Sequence, residues 1–248
     1  MKTVAIIQAR MGSTRLPGKV LKQLCGKSVL DHVVARVRAA SGVDEIIVAT
    51  TDSPADDILA AASSQLGVTV FRGSEADVLS RYRFAAVKAG ADVVIRVTSD
   101  CPLLDSSVLA GMLDRFTALR RNGEKVDYLS NTIARTFPRG LDAEIFTIDA
   151  LERAHKEARR NYEREHVTPF IYDNPDIFGL RNFQCDTDYA AYRWTLDTIE
   201  DWRLITAIYD ALFPMNNCFG MNDVLLLLQR RPELLTLNAH IEQKKRQP

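Results

Sequence analysis

Two periodicities alternate along the first half of the chain. Short, continuously apolar runs are typical of strands that a sheet buries on both faces. They lie at Val4–Gln8, Glu45–Ala49, Val68–Phe71 and Val93–Val97. Apolar residues recur at helical spacing between them, in Val29–Ala40, Pro54–Leu66 and Glu75–Ala89. The third helix opens on Ser74–Asp77, which resembles a capping box. This alternation predicts an α/β fold with a mostly parallel sheet, flanking helices and right-handed crossovers.

Polar segments follow all four predicted strands. They are Gln8–Lys19, Thr50–Asp52, Arg72–Ser74 and Thr98–Pro102. Because ligands of parallel sheets bind beyond the carboxyl ends of the strands, we expect the functional site there.

The pattern changes after about residue 125. Shorter strands are predicted at Asp127–Asn131, Ala143–Thr147 and Phe178–Phe183, and helices at Asp149–Arg160, Glu200–Leu212 and Asn222–Gln229. We interpret residues 1–248 as one domain, with a core over 1–125 and a smaller α+β lobe over 126–190 that lies over the sheet. Residues 191–240 return to the core, and Lys244–Pro248 is expected to form a frayed tail.

Composition narrows the class of protein. The hydrophobic fraction of 46% and the charged fraction of 26% are those of an ordinary globular protein. The sequence has neither a run of ~20 apolar residues nor a secretory-type start, and its four cysteines are scattered. We therefore expect a cytoplasmic protein with no membrane partner. A net charge of zero argues against nucleic acid as a partner.

Positive charge is concentrated near the start of the chain. Residues 1–38 carry eight Lys or Arg against one acid, Asp31. The loop after the first predicted strand, Gln8–Lys19, adds hydroxyls and two glycines, which let backbone N–H groups approach phosphate oxygens. It lacks the Walker spacing, because Gly12 lies one residue too far from the Gly-Lys pair and Val20 replaces the hydroxyl. A small polyanion is the expected ligand.

Five segments resemble those of a known family. Gln8–Lys19 resembles the opening signature of the cytidylyltransferases, which include the CMP-sialate and CMP-Kdo synthetases, and most of all that of the spore-coat polysaccharide biosynthesis protein F group. The later segments follow in the same order, at Phe71–Tyr82, Asp100–Leu103, Pro138–Glu144 and Arg164–Pro169. The resemblance extends to about residue 212. It implies a Rossmann-like sheet of the nucleotide-diphospho-sugar transferase type, in which residues 1–125 bind nucleotide and 126–190 bind the acceptor and form a homodimer.

The resemblance also implies a metal site. Asp100 follows a predicted strand and matches a metal ligand of the family, and Asp197 matches the other, so we expect Mg²⁺ on both. Each has a structural alternative, because Asp100 before Cys101-Pro102 is typical of a turn and Asp197 or Thr198 would suit a helix N-cap.

The implied reaction is displacement at the α-phosphate of CTP by a sugar acceptor. Charge neutralisation and positioning would dominate catalysis, with Arg10, Lys19 and Asp100 as catalytic residues. The expected nucleotide-binding set is Ala9, Arg10, Gly12, Ser13, Thr14, Arg15, Lys19, Arg72 and Ser99. Another nucleoside triphosphate, a glycosyltransferase with its metal on Asp186-Thr187-Asp188, and a non-catalytic nucleotide sensor are the alternatives.

A second set of residues would bind the acceptor sugar. It comprises Arg139, Asp142, Glu144, Arg164 and His166. Asp142 and Glu144 lie two positions apart, where strand residues share a face, so both would meet sugar hydroxyls. The alternative for Asp142 and Glu144 is a solvated strand edge, and the alternative for His166 is a histidine with a purely structural role.

Overall fold

The computed structural model describes residues 1–242. The predicted tail at Lys244–Pro248 lies outside this range. The strands are β1 (Thr3–Gln8), β2 (Gln23–Leu24), β3 (Lys27–Ser28), β4 (Glu45–Thr51), β5 (Thr69–Gly73), β6 (Val93–Thr98), β7 (Tyr128–Ser130), β8 (Glu144–Thr147) and β9 (Leu180–Asn182). The helices are α1 (Val29–Ala39), α2 (Asp57–Gln65), α3 (Val78–Lys88), α4 (Ser106–Arg121), α5 (Ile148–Glu157), α6 (Asn161–His166), α7 (Pro169–Tyr172), α8 (Ile199–Leu212) and α9 (Met221–Arg230).

Seven strands form one sheet in the order β5-β4-β1-β6-β8-β7-β9. All pair in parallel except β8, which is antiparallel to both of its neighbours. β2 and β3 form a separate antiparallel hairpin. The prediction of an α/β fold with a mostly parallel sheet is confirmed.

Both faces of the central strands are buried. In β1, Ala5 and Ile7 pack with residues of α1 and α4, whereas Val4 and Ile6 pack with residues of α3 and α5. This alternation across a strand explains why the sequence of β1 is apolar throughout.

We expected residues 126–190 to lie over the sheet, but the structure shows a different arrangement. Their strands β7, β8 and β9 extend the same sheet beyond β6. The reversed strand β8 pairs directly with β6, so its apolar residues are covered by the helices that cover the core.

Residues 191–230 run back across the carboxyl ends of the strands. One buried cluster joins these residues to Leu16 of the loop Gln8–Lys19, which we call the basic loop. Its members from the returning segment include Leu204 and Ile208 of α8 and Val224 of α9. Asp105 joins the ends of two helices, because Oδ1 accepts from Ser107 N (2.7 Å) at the start of α4 and Oδ2 accepts from Met221 N (2.6 Å) at the start of α9.

Two predicted helices have different bounds in the structure, and one helix was not predicted. The predicted helix Glu75–Ala89 begins at Val78, because Asp77 is the N-cap and accepts from Ser80 N at 2.9 Å. The predicted helix Pro54–Leu66 splits into a 3₁₀ turn, Pro54–Asp56, and α2. α4 is not among the predicted elements, although Leu109, Met112 and Phe116 follow helical spacing.

Candidate active site

The basic loop leaves the sheet between two strand ends. β1 pairs with β4 on one side and β6 on the other. Ala9 N donates to Ala49 O (3.2 Å), and Ser99 N donates to Gln8 O (3.0 Å). Ala9 and Ser99 are therefore buried at the base of the loop, with Asp100 beside it.

Internal hydrogen bonds give the loop its shape. The buried Asp56 accepts from Met11 N at 2.7 Å. Ser13 N donates to Met11 O at 2.8 Å, and Ser13 Oγ accepts from Leu16 N at 3.3 Å. Gly18 has a φ of 64°, a left-handed conformation that favours glycine, and leads into a short 3₁₀ turn that begins at Lys19. Asp56, for which the sequence predicted no role, thus fixes the start of the loop.

Lys19 joins the two carboxylates that were predicted to bind metal. Its Nζ donates to Asp197 Oδ1 (2.8 Å) and Leu196 O (2.7 Å) and lies 3.4 Å from Asp100 Oδ2. Arg15 Nη2 lies 3.2 Å from the other oxygen of Asp197. Residues far apart in sequence therefore converge above β1 and β6.

The segment that carries Asp197 is fixed from both sides. Leu196 N donates to Asp100 O at 2.8 Å, so the segment that carries Asp197 runs beside the segment that carries Asp100. Thr198 is the N-cap of α8, and the fully buried Asp201 accepts from Asp197 N and Thr198 N. The N-cap role expected as an alternative thus falls to Thr198 and leaves the Asp197 carboxylate to the cations. Arg193, which was given no role from the sequence, binds Asp201 at 2.8 Å and Asp197 at 3.4 Å.

The charges of this cluster support one another. Burial lowers the pKa of Lys19, but Asp100 and Asp197 outweigh it and leave that pKa above its ordinary value. Burial likewise raises the pKa of Asp197, and Lys19, Arg15 and Arg193 together bring it below its ordinary value. Near neutral pH Lys19 is therefore an ammonium and Asp197 an ionised carboxylate.

The donor set fits a divalent cation shared with a substrate. Asp100 and Asp197 already hold one cation, the Lys19 ammonium, between them. Across residues 1–242, no three His, Cys, Asp or Glu side chains gather as a complete metal cage. Mg²⁺ is commonly held by one or two carboxylates together with substrate phosphates, so two convergent carboxylates suit it.

The remaining residues of the predicted nucleotide set are dispersed. Thr14 is exposed, and a Cβ at Gly12 would meet no atom closer than 3.9 Å, so the backbone there is open to a ligand. Arg10 pairs with Glu75 at 2.7 Å. The structure does not bring Arg72 to the Lys19 cluster, because its guanidinium binds Thr51 O, Ser53 O and Asp57.

Two residues of the predicted acceptor set are engaged within the protein. Asp142 accepts from both terminal nitrogens of Arg135. Glu144 is 6% exposed and accepts from Tyr128, Thr168 and Arg96. They do not share a strand face, because β8 begins at Glu144 and Asp142 lies before it.

The other three lie at two separate places. The backbone of Arg139 forms an isolated parallel β-bridge with that of Arg193, next to the segment that carries Asp197. The adjacent Gly140 has a φ of 111°, and a Cβ there would lie 2.5 Å from the Trp194 carbonyl carbon, so only glycine fits. Arg164 binds Asp77, and the half-buried His166 ends α6.

A cleft of about 510 Å³ is lined by one residue from each of the two predicted sets. Its lining includes Arg10 from the nucleotide set and Arg164 from the acceptor set. Arg81 of α3, which belongs to the family-like segment Phe71–Tyr82 but was assigned no role from the sequence, lies in the same wall. The cleft therefore brings one residue predicted for the nucleotide and one predicted for the acceptor to the same wall.

Comparisons with known proteins point to one family. The family model described as cytidylyltransferase matches residues 4–214. The spore coat polysaccharide biosynthesis protein SpsF of Bacillus subtilis is 34% identical over 238 residues, 93% of this chain and 95% of that protein. A 3-deoxy-manno-octulosonate cytidylyltransferase of Maricaulis maris is 27% identical over 203 residues, 73% of this chain and 76% of that one. The solved structure of a cytidylyltransferase from Leptospira borgpetersenii matches with a TM-score of 0.89 at 34% identity, and each chain is covered over 100% of its length.

Proposed function

The chain belongs to the cytidylyltransferase family, and on that premise we propose that it transfers CMP from CTP to a sugar acid or a related sugar, with release of pyrophosphate. The observation that carries the proposal is the convergence of Lys19, Arg15, Asp100 and Asp197 beyond the ends of β1 and β6. A sugar acceptor agrees with the names of the Bacillus subtilis and Maricaulis maris proteins.

The proposed reaction is a displacement at phosphorus. A hydroxyl oxygen of the acceptor forms a bond to the α-phosphorus, and the bond to the oxygen that bridges the α- and β-phosphates breaks. Pyrophosphate leaves with the electron pair, and the hydroxyl proton passes to solvent. Negative charge develops on the phosphoryl oxygens, so fixed cations and N–H groups in the loop lower the barrier.

The residues of the loop would divide this work. Asp197 already holds Lys19 and Arg15 beyond the ends of β1 and β6. Both side chains would turn toward the phosphates when the triphosphate binds. The open backbone at Gly12 and the hydroxyls of Ser13 and Thr14 would donate to phosphate oxygens.

A bound Mg²⁺ would add Lewis-acid stabilisation of the phosphoryl oxygens. Asp100 and Asp197 are the residues that would hold it, because both carboxylates already face a common cation. Thr98 Oγ1 donates to Asp100 Oδ1 and so orients the first of these carboxylates.

Product formation tests the proposal directly. Protein, CTP and Mg²⁺ would be incubated with a panel of sugar acids, sugar phosphates and neutral sugars, and pyrophosphate release would be measured for each. The proposal expects release that depends on both CTP and one acceptor class. Release with another triphosphate would change the donor, and turnover of a finished nucleotide-sugar alone would replace the proposal with a glycosyltransferase. The Asp186-Thr187-Asp188 sequence on which that alternative depends is an exposed turn, in which Asp188 accepts from Ala190 N.

A further inference from the structure

A buried arginine without an ion pair lies in the wall of the cleft. Arg81 is 2% exposed, and among residues 1–242 its Nε–H has no hydrogen-bond partner. Its Nη1 donates to Ser74 O at 3.4 Å, a long hydrogen bond. A buried guanidinium normally has a carboxylate partner, because an unpaired charge in the interior is destabilising.

The other arginines around the cleft differ in this respect. Arg10 pairs with Glu75, and Arg164 pairs with Asp77. Outside the lining of the cleft, the half-buried Arg96 also has an Nε–H without a hydrogen-bond partner among residues 1–242, but its Nη1 pairs with Glu144. No carboxylate in the described part of the chain forms an ion pair with Arg81, although Asp56 and Glu75 act on it from a longer distance.

The free protein is therefore electrostatically incomplete at this place. Burial lowers the pKa of Arg81, and the nearby Arg10 lowers it further. Of the three arginines that line the cleft, Arg164 contacts Asp77 and Arg10 contacts Glu75, whereas Arg81 contacts no carboxylate and shares the cleft with the positive charge of Arg10. An oxyanion between them would relieve the repulsion and accept the hydrogen bonds that Arg81 does not use.

We propose that Arg81 binds an oxyanion of a substrate in this cleft, where Arg10 lines the same wall. The oxyanion is either a phosphate of the nucleotide or a carboxylate or phosphate of the acceptor, since residues predicted for both substrates line the cleft. The inference rests on the proposed function, which makes the cleft a substrate site.

Stability of the ligand-free protein separates a binding role from a structural one. Arg81→Met removes an unpaired buried charge and keeps most of the side-chain volume, so its midpoint of thermal unfolding should equal or exceed that of the wild type. Arg83→Met is the matched control, because Arg83 lies two positions away on α3 and pairs with Glu152. A midpoint for Arg81→Met well below that of Arg83→Met would show that Arg81 supports the fold, and would overturn the proposal.

Binding of simple probes then identifies the oxyanion. Sulfate should raise the midpoint of wild type, Arg83→Met and the charge-retaining Arg81→Lys, but raise that of Arg81→Met much less. A loss of about 10–100-fold in CTP affinity in Arg81→Met, with unchanged affinity for cytidine, would assign the oxyanion to the nucleotide. A lost sulfate response with unchanged CTP affinity would assign it to the acceptor.

An equal sulfate response and equal CTP affinity in Arg81→Met and Arg83→Met would overturn the proposal. This result is distinguishable from a failure of the proposed function. If wild-type protein bound no CTP at all, the proposed donor would be wrong, whereas the sulfate comparison would still report on Arg81.

Discussion

At the scale of single residues, ion pairs between two cations and two aspartates form the centre of the candidate site. Lys19 and Arg15 bind Asp197 at 2.8 and 3.2 Å, and Lys19 also lies near Asp100. The Lys19 ammonium, which lies between the two carboxylates, holds both of them in position in the free protein. In the proposed reaction, Lys19 and Arg15 would pair with the phosphates of a bound triphosphate, and Asp100 and Asp197 would be the residues that hold Mg²⁺.

Replacement of Asp100 by asparagine tests this arrangement. The variant keeps the shape of the side chain but loses one negative charge, and kcat should fall by about 100-fold or more, the scale of losing one electrostatic stabiliser. Asp52→Asn is the control, because Asp52 also follows a strand, β4, but is exposed and makes no contact with Lys19. Steady-state kinetics of both variants would decide, and near wild-type turnover in Asp100→Asn would remove Asp100 from the site.

Sequence alone could identify the residues of this cluster but not their partners. The unbroken run of positive charge and the family resemblance singled out Lys19, Asp100 and Asp197. The ion pairs among them depend on the return of the chain after residue 190, which local periodicity does not reveal. Arg81 lies in the family-like segment Phe71–Tyr82, but the sequence assigned it no role, because its burial without an ion pair is visible only in the structure.

At the scale of elements, short contacts between loops position the site. Gly140 packs against the backbone of Trp194 and Thr195, two residues before Asp197. Asp105 joins the starts of α4 and α9, and the cluster formed by α8 and α9 supports Leu16 of the basic loop. Changes in these elements should therefore reach the site without any contact with a substrate.

A pair of glycine variants measures the first of these contacts. Gly140→Ala should lower the free energy of unfolding by about 1–3 kcal/mol more than Gly123→Ala, because its Cβ would overlap the Trp194 backbone. Gly123 also has a positive φ but no atom near its Cβ position, so it isolates the conformational strain. Urea unfolding of both variants gives the comparison, and equal losses would show that the close approach is unimportant.

Asp105 makes the stability of the fold sensitive to acid. Burial raises the pKa of Asp105, but hydrogen bonds from Ser107, Met221 and Val108 outweigh it and bring that pKa below its ordinary value. The stability it contributes is present above the unfolded pKa of about 3.9 and is lost as pH falls through the lower folded pKa.

Asp105→Asn should therefore lower the free energy of unfolding by about 1–3 kcal/mol at pH 7. Below about pH 4, that free energy should fall less steeply in the variant than in the wild type. Its amide would direct N–H groups at backbone donors. Thermal unfolding between pH 3 and 7 measures both effects, with the exposed Asp114→Asn of α4 as control. An unchanged pH profile would exclude Asp105 as the acid-sensitive group.

Prediction of elements succeeded where periodicity was simple. The parallel strands β1, β4, β5 and β6 were found because burial on both faces makes them continuously apolar. The start of α3 was misplaced because Ser74 and Asp77 form successive turns, and only Asp77 caps the helix. β7, β8 and β9 were found as strands, but their place in the sheet depends on pairing between distant residues.

At the scale of the whole molecule, one sheet combines the two halves of the chain. The basic loop comes from the first strand, Asp100 from β6, and Asp197 from the segment before α8. Residues 1–242 contain no helix with the length and apolarity to span a bilayer. The fold class and family were predictable from sequence, whereas donor base and acceptor depend on contacts that neither the periodicity nor the charge pattern displays.

Ligand-dependent thermal stability tests the central claim most directly. The protein would be heated with Mg²⁺ and, in turn, with CTP, UTP, ATP, GTP and dTTP. At about 100 times its Kd, the donor nucleotide should stabilise the fold by about 2.7 kcal/mol. We expect this stabilisation with CTP and its loss when Mg²⁺ is chelated. Stabilisation by a different triphosphate, or by none of the five, would contradict the proposed CTP-dependent transfer.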